Sequence, residues 1–211
     1  MNKRKLYLSL AFLAAFALWT LAVSTLDVQA IGPGGSVVGF ATLNGFFHRL
    51  TGVHMGLYTL TDWLGLVPVA FGFGFAVLGL VQWITRKHFL KVDKSILVLG
   101  IFYILVLAAY LLFERYAVNY RPVLIGGFLE ASYPSSTTLL VLCVMPTALL
   151  QLLSRIKHAT LRTCISVGIT AFAVFMVVGR LLSGVHWLTD IMGGILLAAG
   201  LVLLYETFAD Q

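Results

Sequence analysis

The stretch Gly179-Arg180-Leu181-Leu182-Ser183-Gly184-Val185-His186-Trp187-Leu188-Thr189-Asp190 sets an arginine, a histidine and an aspartate close together in sequence that is otherwise almost wholly apolar. Placing Arg or Asp at hydrocarbon costs roughly 2.5–3.5 kcal/mol on insertion scales, so such groups persist where they pair with each other and do chemistry. His186 and Asp190 stand four residues apart and share a face if the segment is helical. A carboxylate so placed fixes the imidazole tautomer, as an orienting acid does in a nucleophilic or acid–base site.

Two other clusters carry compatible chemistry. The first is Glu114-Arg115-Tyr116-Ala117-Val118-Asn119-Tyr120-Arg121-Pro122. Its arginines, like Arg180, offer forked donors that match phosphate oxygens. The second is Tyr133-Pro134-Ser135-Ser136-Thr137-Thr138, in which the hydroxyls of Ser135 and Ser136 and the free N–H groups of a helix start suit an anion. Taken singly, each has a plainer role: an arginine at a span end snorkels to the interface, and Pro-Ser-Ser-Thr begins a helix. Their grouping on one side of a membrane is what argues for an oxyanion site with a carboxylate-oriented histidine at its centre.

The elements that must bring them together are membrane spans. Hydrophobic residues make up 60% of the chain and charged residues 10%, against about 25% charged in soluble domains. Mean hydropathy is +1.00. Six apolar stretches are predicted to cross the bilayer, about 6–26, 64–84, 96–113, 138–153, 164–178 and 188–205. The fourth and fifth are short for a core of ~30 Å and should extend into their polar flanks. The expected architecture is an all-α, polytopic helical bundle of about six transmembrane helices in a single domain, 1–211. If the spans alternate, Lys3, Arg4, Lys5, Arg86, Lys87, Lys91, Lys94, Arg155, Lys157 and Arg162 share one side, which the positive-inside rule makes cytoplasmic. Both termini then face the cytoplasm, and Arg49, Arg115, Arg121 and Arg180 lie outside with all three clusters. The net charge of +6 is thereby explained by topology and calls for no nucleic-acid partner. Lys3–Lys5, the following apolar run and Val28-Gln29-Ala30 also have the form of a secretory signal, but the run exceeds the usual signal core, and a retained anchor is predicted. Cys143 and Cys164 read as small buried apolar residues, and no cluster has metal-ligand spacing.

The combined pattern resembles the type 2 phosphatidic acid phosphatase superfamily, which includes membrane lipid phosphatases, glucose-6-phosphatases and vanadium haloperoxidases. The family signature is Lys-x6-Arg-Pro, then Pro-Ser-Gly-His, then Ser-Arg-x5-His-x3-Asp. Arg180, His186 and Asp190 match the third element, with Gly179 standing for the serine; Arg121-Pro122 matches the end of the first, and Pro134-Ser135 the start of the second. The resemblance implies that His186 is a nucleophile forming a phosphohistidine, that Asp190 orients it, and that Arg121, Ser135 and Arg180 hold the phosphate oxygens. Ser136 and Arg115 are further phosphate-binding candidates. The resemblance implies that no metal or other cofactor is needed and that the substrate is a phospholipid or polyprenyl phosphate or diphosphate; the charge distribution puts the active site on the outer face of the cell (inner) membrane.

Two positions depart from the family. Glu114 stands where the lysine is expected, and Arg115 follows one place later, about 100° round a helix. Thr137 stands where the family's histidine protonates the leaving group. A hydroxyl is a poor acid at neutral pH, and losing such an acid costs ~10²–10⁴ in rate, least when the leaving group is a weak base. Thr137 therefore points to a diphosphate lipid over a monoester, with Glu114, Glu130, Tyr133, His48 or His54 as replacement acids. The competing expectation is a catalytically impaired relative that binds or transports lipid phosphates. The segment 27–62, with Phe46-Phe47-His48-Arg49, reads as an amphipathic anchor along the outer surface.

Overall fold

The computed structural model describes residues 3–209; residues 1, 2, 210 and 211 of the expected 1–211 domain lie outside the described residues. Lipid offers no partner to backbone N–H and C=O groups, so apolar runs satisfy them internally as helices. Among the described residues eight α-helices result: α1 Lys3–Thr25, α2 Ala41–Thr51, α3 Met55–Leu64, α4 Leu66–Arg86, α5 Lys94–Arg115, α6 Ser136–Leu153, α7 Ala159–Leu182 and α8 Leu188–Ala209. Six spans are long and apolar enough to cross a membrane, because α3 and α4 run on through Gly65 as one rod, Met55–Arg86. The expected bundle is present, and the two short spans do extend, α6 back to Ser136 and α7 forward to Leu182.

Helices α6 and α8 form the centre: 56% of an 18-residue apolar stretch in each is buried, against 6% of one in Met55–Arg86. Helix α1 lies along α8, where Ser9 Oγ donates to the Gly200 carbonyl at 2.8 Å. Helices α4, α5 and α7 pack round α6. Three helices converge on the buried ring of Tyr133, just before α6. It hydrogen-bonds Thr20 of α1 at 2.7 Å, stacks on Phe16, meets Phe113 of α5 edge-on, and rests on α8 at Gly193. A Cβ at Gly193 would lie 2.6 Å from that ring, so glycine is what lets the start of α6 reach α8. Cys143 is buried as expected, but Cys164 is exposed; it lies on the side of α7 turned away from α6, where a small apolar residue faces lipid.

The ends of α1, α5 and α7 and the starts of α3, α6 and α8 share one side of the bundle, with the basic loops on the other. There Lys5 pairs with Glu206 at 2.9 Å and Arg86 with Asp93 at 2.8 Å. Hydrogen bonds from Arg86 and Gln82 hold the Asp93 carboxyl below the usual carboxylate range. On the first side, α5 and α6 are joined by a short hairpin with bridges Tyr120↔Ala131 and Ile125↔Phe128, closed by Gly126 and Gly127.

The α1–α8 seam gives a test. A Cβ at Gly200 would lie 2.8 Å from the Leu13 side chain and 3.2 Å from its backbone nitrogen. Overpacking of this kind costs about 1–3 kcal/mol, so Gly200→Val should lower the Tm measured in detergent by several degrees. An unchanged Tm would mean that α1 is not seated on α8 at this point.

Candidate active site

The three clusters meet at the start of α8. Asp190 is the third residue of that helix and is fully buried. Its Oδ2 accepts the Trp187 N–H at 2.9 Å, the backward half of a capping box. Its Oδ1 accepts from Asn119 Nδ2 at 3.4 Å, and its backbone carbonyl accepts the Ser135 N–H at 3.0 Å. One residue thus joins the loop after α5, the start of α6 and the turn between α7 and α8.

His186 lies in that last turn, its side chain 1% exposed, with Nδ1 3.8 Å from Asp190 Oδ2. The turn is shaped by Gly184 at φ +69°, whose missing Cβ would lie 2.0 Å from the Gly52 carbonyl oxygen. Trp187 is anchored by donation from Nε1 to the Tyr120 carbonyl at 2.7 Å. Burial pushes the His186 pKa down to about 4; Asp190 pulls it back upward, and Arg121 and Arg180 press it further down. The imidazole is therefore neutral at pH 7, the form that carries a nucleophilic lone pair.

Two guanidinium groups stand over one aromatic ring. The Arg180 Cζ lies 4.9 Å from the Tyr58 ring centroid and the Arg121 Cζ 5.9 Å. Arg180, whose side chain is 2% exposed, donates from Nη2 to Asp62 Oδ1 at 3.0 Å and to Thr137 Oγ1, and from Nη1 to Thr61 Oγ1 and the Tyr58 carbonyl at 3.4 Å. Arg121 Nε lies 3.0 Å from Glu130 Oε2 as an ion pair, and the backbone bond from Arg121 N–H to the Glu130 carbonyl fixes the hairpin beneath it. Among the described residues, Arg121 Nη1, Arg180 Nε and both His186 ring nitrogens are buried without a hydrogen-bond partner. Buried donors are rarely left so; two cationic donors converging with a neutral imidazole form the electrostatic complement of a phosphoryl group.

A family model described as the PAP2 superfamily matches residues 121–210. That stretch is similar to the PAP2 superfamily. The match begins at Arg121 and takes in Ser135, Arg180, His186 and Asp190. The fold is similar to the crystal structure of the first transmembrane PAP2 type phosphatidylglycerolphosphate phosphatase from Bacillus subtilis, with a TM-score of 0.58 over 97% of this chain and 96% of that chain. At 17% identity the likeness is one of fold. No curated protein matches the chain.

Of the residues singled out from sequence, Ser135 and His186 are tied to Asp190, and Thr137 to Arg180, which shares the Tyr58 ring with Arg121. Ser135 also caps α6, accepting the Thr138 N–H at 3.5 Å. Ser136 is half-buried beside Thr137. Arg115 stands apart: it is exposed at the end of α5, with its guanidinium over the Tyr116 ring at 5.5 Å. The segment 27–62 does more than anchor. Its fully buried Asn44 accepts the Thr189 N–H and donates to Thr189 Oγ1 at 2.9 Å, and its Tyr58 and Asp62 hold Arg180. Asp62 carried a signal in the sequence, as an acid in a strongly apolar run; Asn44, Asn119 and Tyr58 carried none.

The His186 geometry sets a pH signature. With a folded value near 4 against an ordinary 6.5, the unfolded chain binds this proton first. The stability gained by keeping the ring neutral is complete above pH 6.5 and declines as pH falls from 6.5 toward 4. In NMR spectra of histidine-labelled protein in detergent, the signal removed by His186→Ala should keep its neutral-ring shift from pH 8 down to about 5. A midpoint near 6.5 would refute the burial argument.

Proposed function

We propose that the protein is an integral membrane lipid phosphatase that hydrolyses a phosphate or diphosphate lipid through a phosphohistidine on His186, at the outer membrane face. The observation that carries this reading is the neutral, buried His186 facing Asp190, with unpartnered nitrogens of Arg121 and Arg180 beside it. Because Nδ1 is the nitrogen nearer the carboxylate, Nε2 attacks. The Nε2 lone pair forms the P–N bond, the P–O bond to the lipid breaks, and its electron pair leaves with the lipid oxygen. Arg121 and Arg180 neutralise charge on the equatorial oxygens. Water then displaces the histidine and releases phosphate, so the hard displacement is divided into two easier ones.

A groove supports a lipid as the substrate. It has a volume of about 1110 Å³, begins at Asp62, Ser136 and Thr137, and continues between α4 and α5 as far as Phe89. That exceeds the range of pockets for drug-sized ligands, and its walls are almost entirely apolar. A phosphate held at Arg180 would place its lipid chain at this mouth. The Bacillus subtilis protein of similar fold is described as a phosphatidylglycerolphosphate phosphatase, and a lipid phosphate substrate is consistent with that. Thr137, which accepts a hydrogen bond from Arg180, cannot match an imidazole as an acid. This favours a leaving group that departs without a proton, such as the phosphate of a polyprenyl diphosphate.

Phosphate release by purified protein in detergent tests both levels. His186→Ala should abolish release from every lipid, and wild-type protein should turn over a polyprenyl diphosphate faster than phosphatidic acid. Equal or faster release from phosphatidic acid refutes the diphosphate preference. Lipid binding with no turnover on any substrate would support the binding or transport role instead.

The groove has its own test. A Cβ at Gly100 would meet no atom within 4 Å, so Gly100→Leu fills the groove without straining the fold. Turnover of a long-chain substrate should fall at least tenfold while a short-chain phosphate is hydrolysed as before. Equal effects on both would separate the groove from chain binding.

A further inference from the structure

Resting on that reading, we infer that Asp62 is the general base of the second step, activating the water that hydrolyses the phosphohistidine. Its Oδ1 and the Thr137 hydroxyl both accept from Arg180 Nη2, at 3.0 and 2.5 Å, so the two oxygens lie no farther apart than the sum of those distances, 5.5 Å. In an in-line displacement the leaving group and the attacking water occupy the same side of phosphorus, opposite the histidine nitrogen. The group that attends one therefore attends the other. In this chain Thr137 fills the position proposed for that role and has no basic atom. The neighbouring carboxylate does, and it is open: the Asp62 side chain is 58% exposed and lines the mouth of the groove beside Ser136 and Thr137.

The other candidates are otherwise engaged. Glu130, paired with Arg121 as Asp62 is with Arg180, does not line the groove; Tyr133 is buried against Thr20, and His48 Nε2 lies 3.2 Å from the Gly184 carbonyl. His54 Nε2 lies 2.9 Å from the Thr51 carbonyl, and Glu114, exposed at the C-terminal end of α5, lines a separate small cavity with Tyr133 and Ser136 and not the groove.

An ionised carboxylate paired with Arg180 is competent to take a proton and ill suited to give one. The first step consequently proceeds without acid help. In the second, the water oxygen bonds to phosphorus, its proton passes to an Asp62 oxygen, and the P–N electron pair returns to His186 Nε2. Inorganic phosphate leaves, and Asp62 gives its proton to bulk water. The balance requires only substrate and water. It also explains physically why a chain lacking the histidine would favour diphosphates: the departing phosphate needs no proton, while the water still needs a base.

The test separates this role from one of merely holding Arg180. With a 32P-labelled polyprenyl diphosphate, carrying label on the terminal phosphate, and alkaline quenching, Asp62→Asn keeps a hydrogen-bond acceptor for Arg180 but removes the base. The first-turnover labelling rate should stay within a few-fold of wild type, while steady-state release falls ~10²–10⁴-fold and labelled protein accumulates toward one phosphate per chain. Asp62→Glu should restore part of the steady-state rate. If first-turnover labelling slows as much as release, Asp62 only positions Arg180, and the inference is overturned. An unchanged steady-state rate overturns it as well. Phosphate release by His186→Ala at the wild-type rate, without labelled protein, would instead overturn the phosphohistidine reading on which it rests.

Discussion

Everything at the functional end of this molecule depends on one buried carboxylate. Asp190 closes the capping box of α8 with Oδ2, takes a hydrogen bond from Asn119 with Oδ1, and ties Ser135 to its backbone carbonyl. A charge with no exposure is tolerable only when its oxygens are occupied. Satisfying it forces three stretches of chain, far apart in sequence, to end at one point. The 3.8 Å between Asp190 Oδ2 and His186 Nδ1 is a by-product of that closure. The helix start, the loop anchor and the orientation of the imidazole are one interaction seen from three sides.

A second constraint follows from placing two guanidinium groups in the same small volume. Like charges this close repel, and burial strips their water. The fold answers with a ring and carboxylates: Tyr58 offers its face to both, Asp62 pairs with Arg180 and Glu130 with Arg121. The pairing is partial, since Arg121 Nη1 and Arg180 Nε are left without acceptors. Full pairing would make a stable ion cluster with no capacity for an anion. Incomplete pairing keeps donors in reserve, which is what a site for an oxyanion needs.

The sequence disclosed the parts of this arrangement that are local. Long apolar runs could only be spans, and Arg180, His186 and Asp190 lie within one turn and its flanks, so their spacing survives folding almost unchanged. Arg121 and Ser135 were legible because proline marks each as a backbone break beside a polar group. What the sequence concealed is long-range. Asn44 meets Thr189 across 145 positions and Arg180 meets Asp62 across 118, and neither pairing has a period or a spacing to betray it. The amphipathic look of the segment 27–62 pointed to a surface anchor because one face of a short helix says nothing about what its other face touches. Arg115 shows the converse: adjacency to a motif position suggested a role, but the helix turns it outward over Tyr116.

The rod formed by α3 and α4 has a consequence for depth. Helix α4 alone, with 21 residues, rises about 32 Å at 1.5 Å per residue, which already matches a hydrocarbon thickness of ~30 Å. The ten residues of α3 add a further rise of about 15 Å, more than the hydrocarbon needs. If α4 spans the hydrocarbon, Tyr58 and Asp62, on the helix that precedes it, fall just beyond its end. A lipid anchored by its chain along α4 would present its first phosphate at that height without leaving the membrane. Water would meet it there as a reactant in abundance, one helical turn from a medium in which hydrolysis has none.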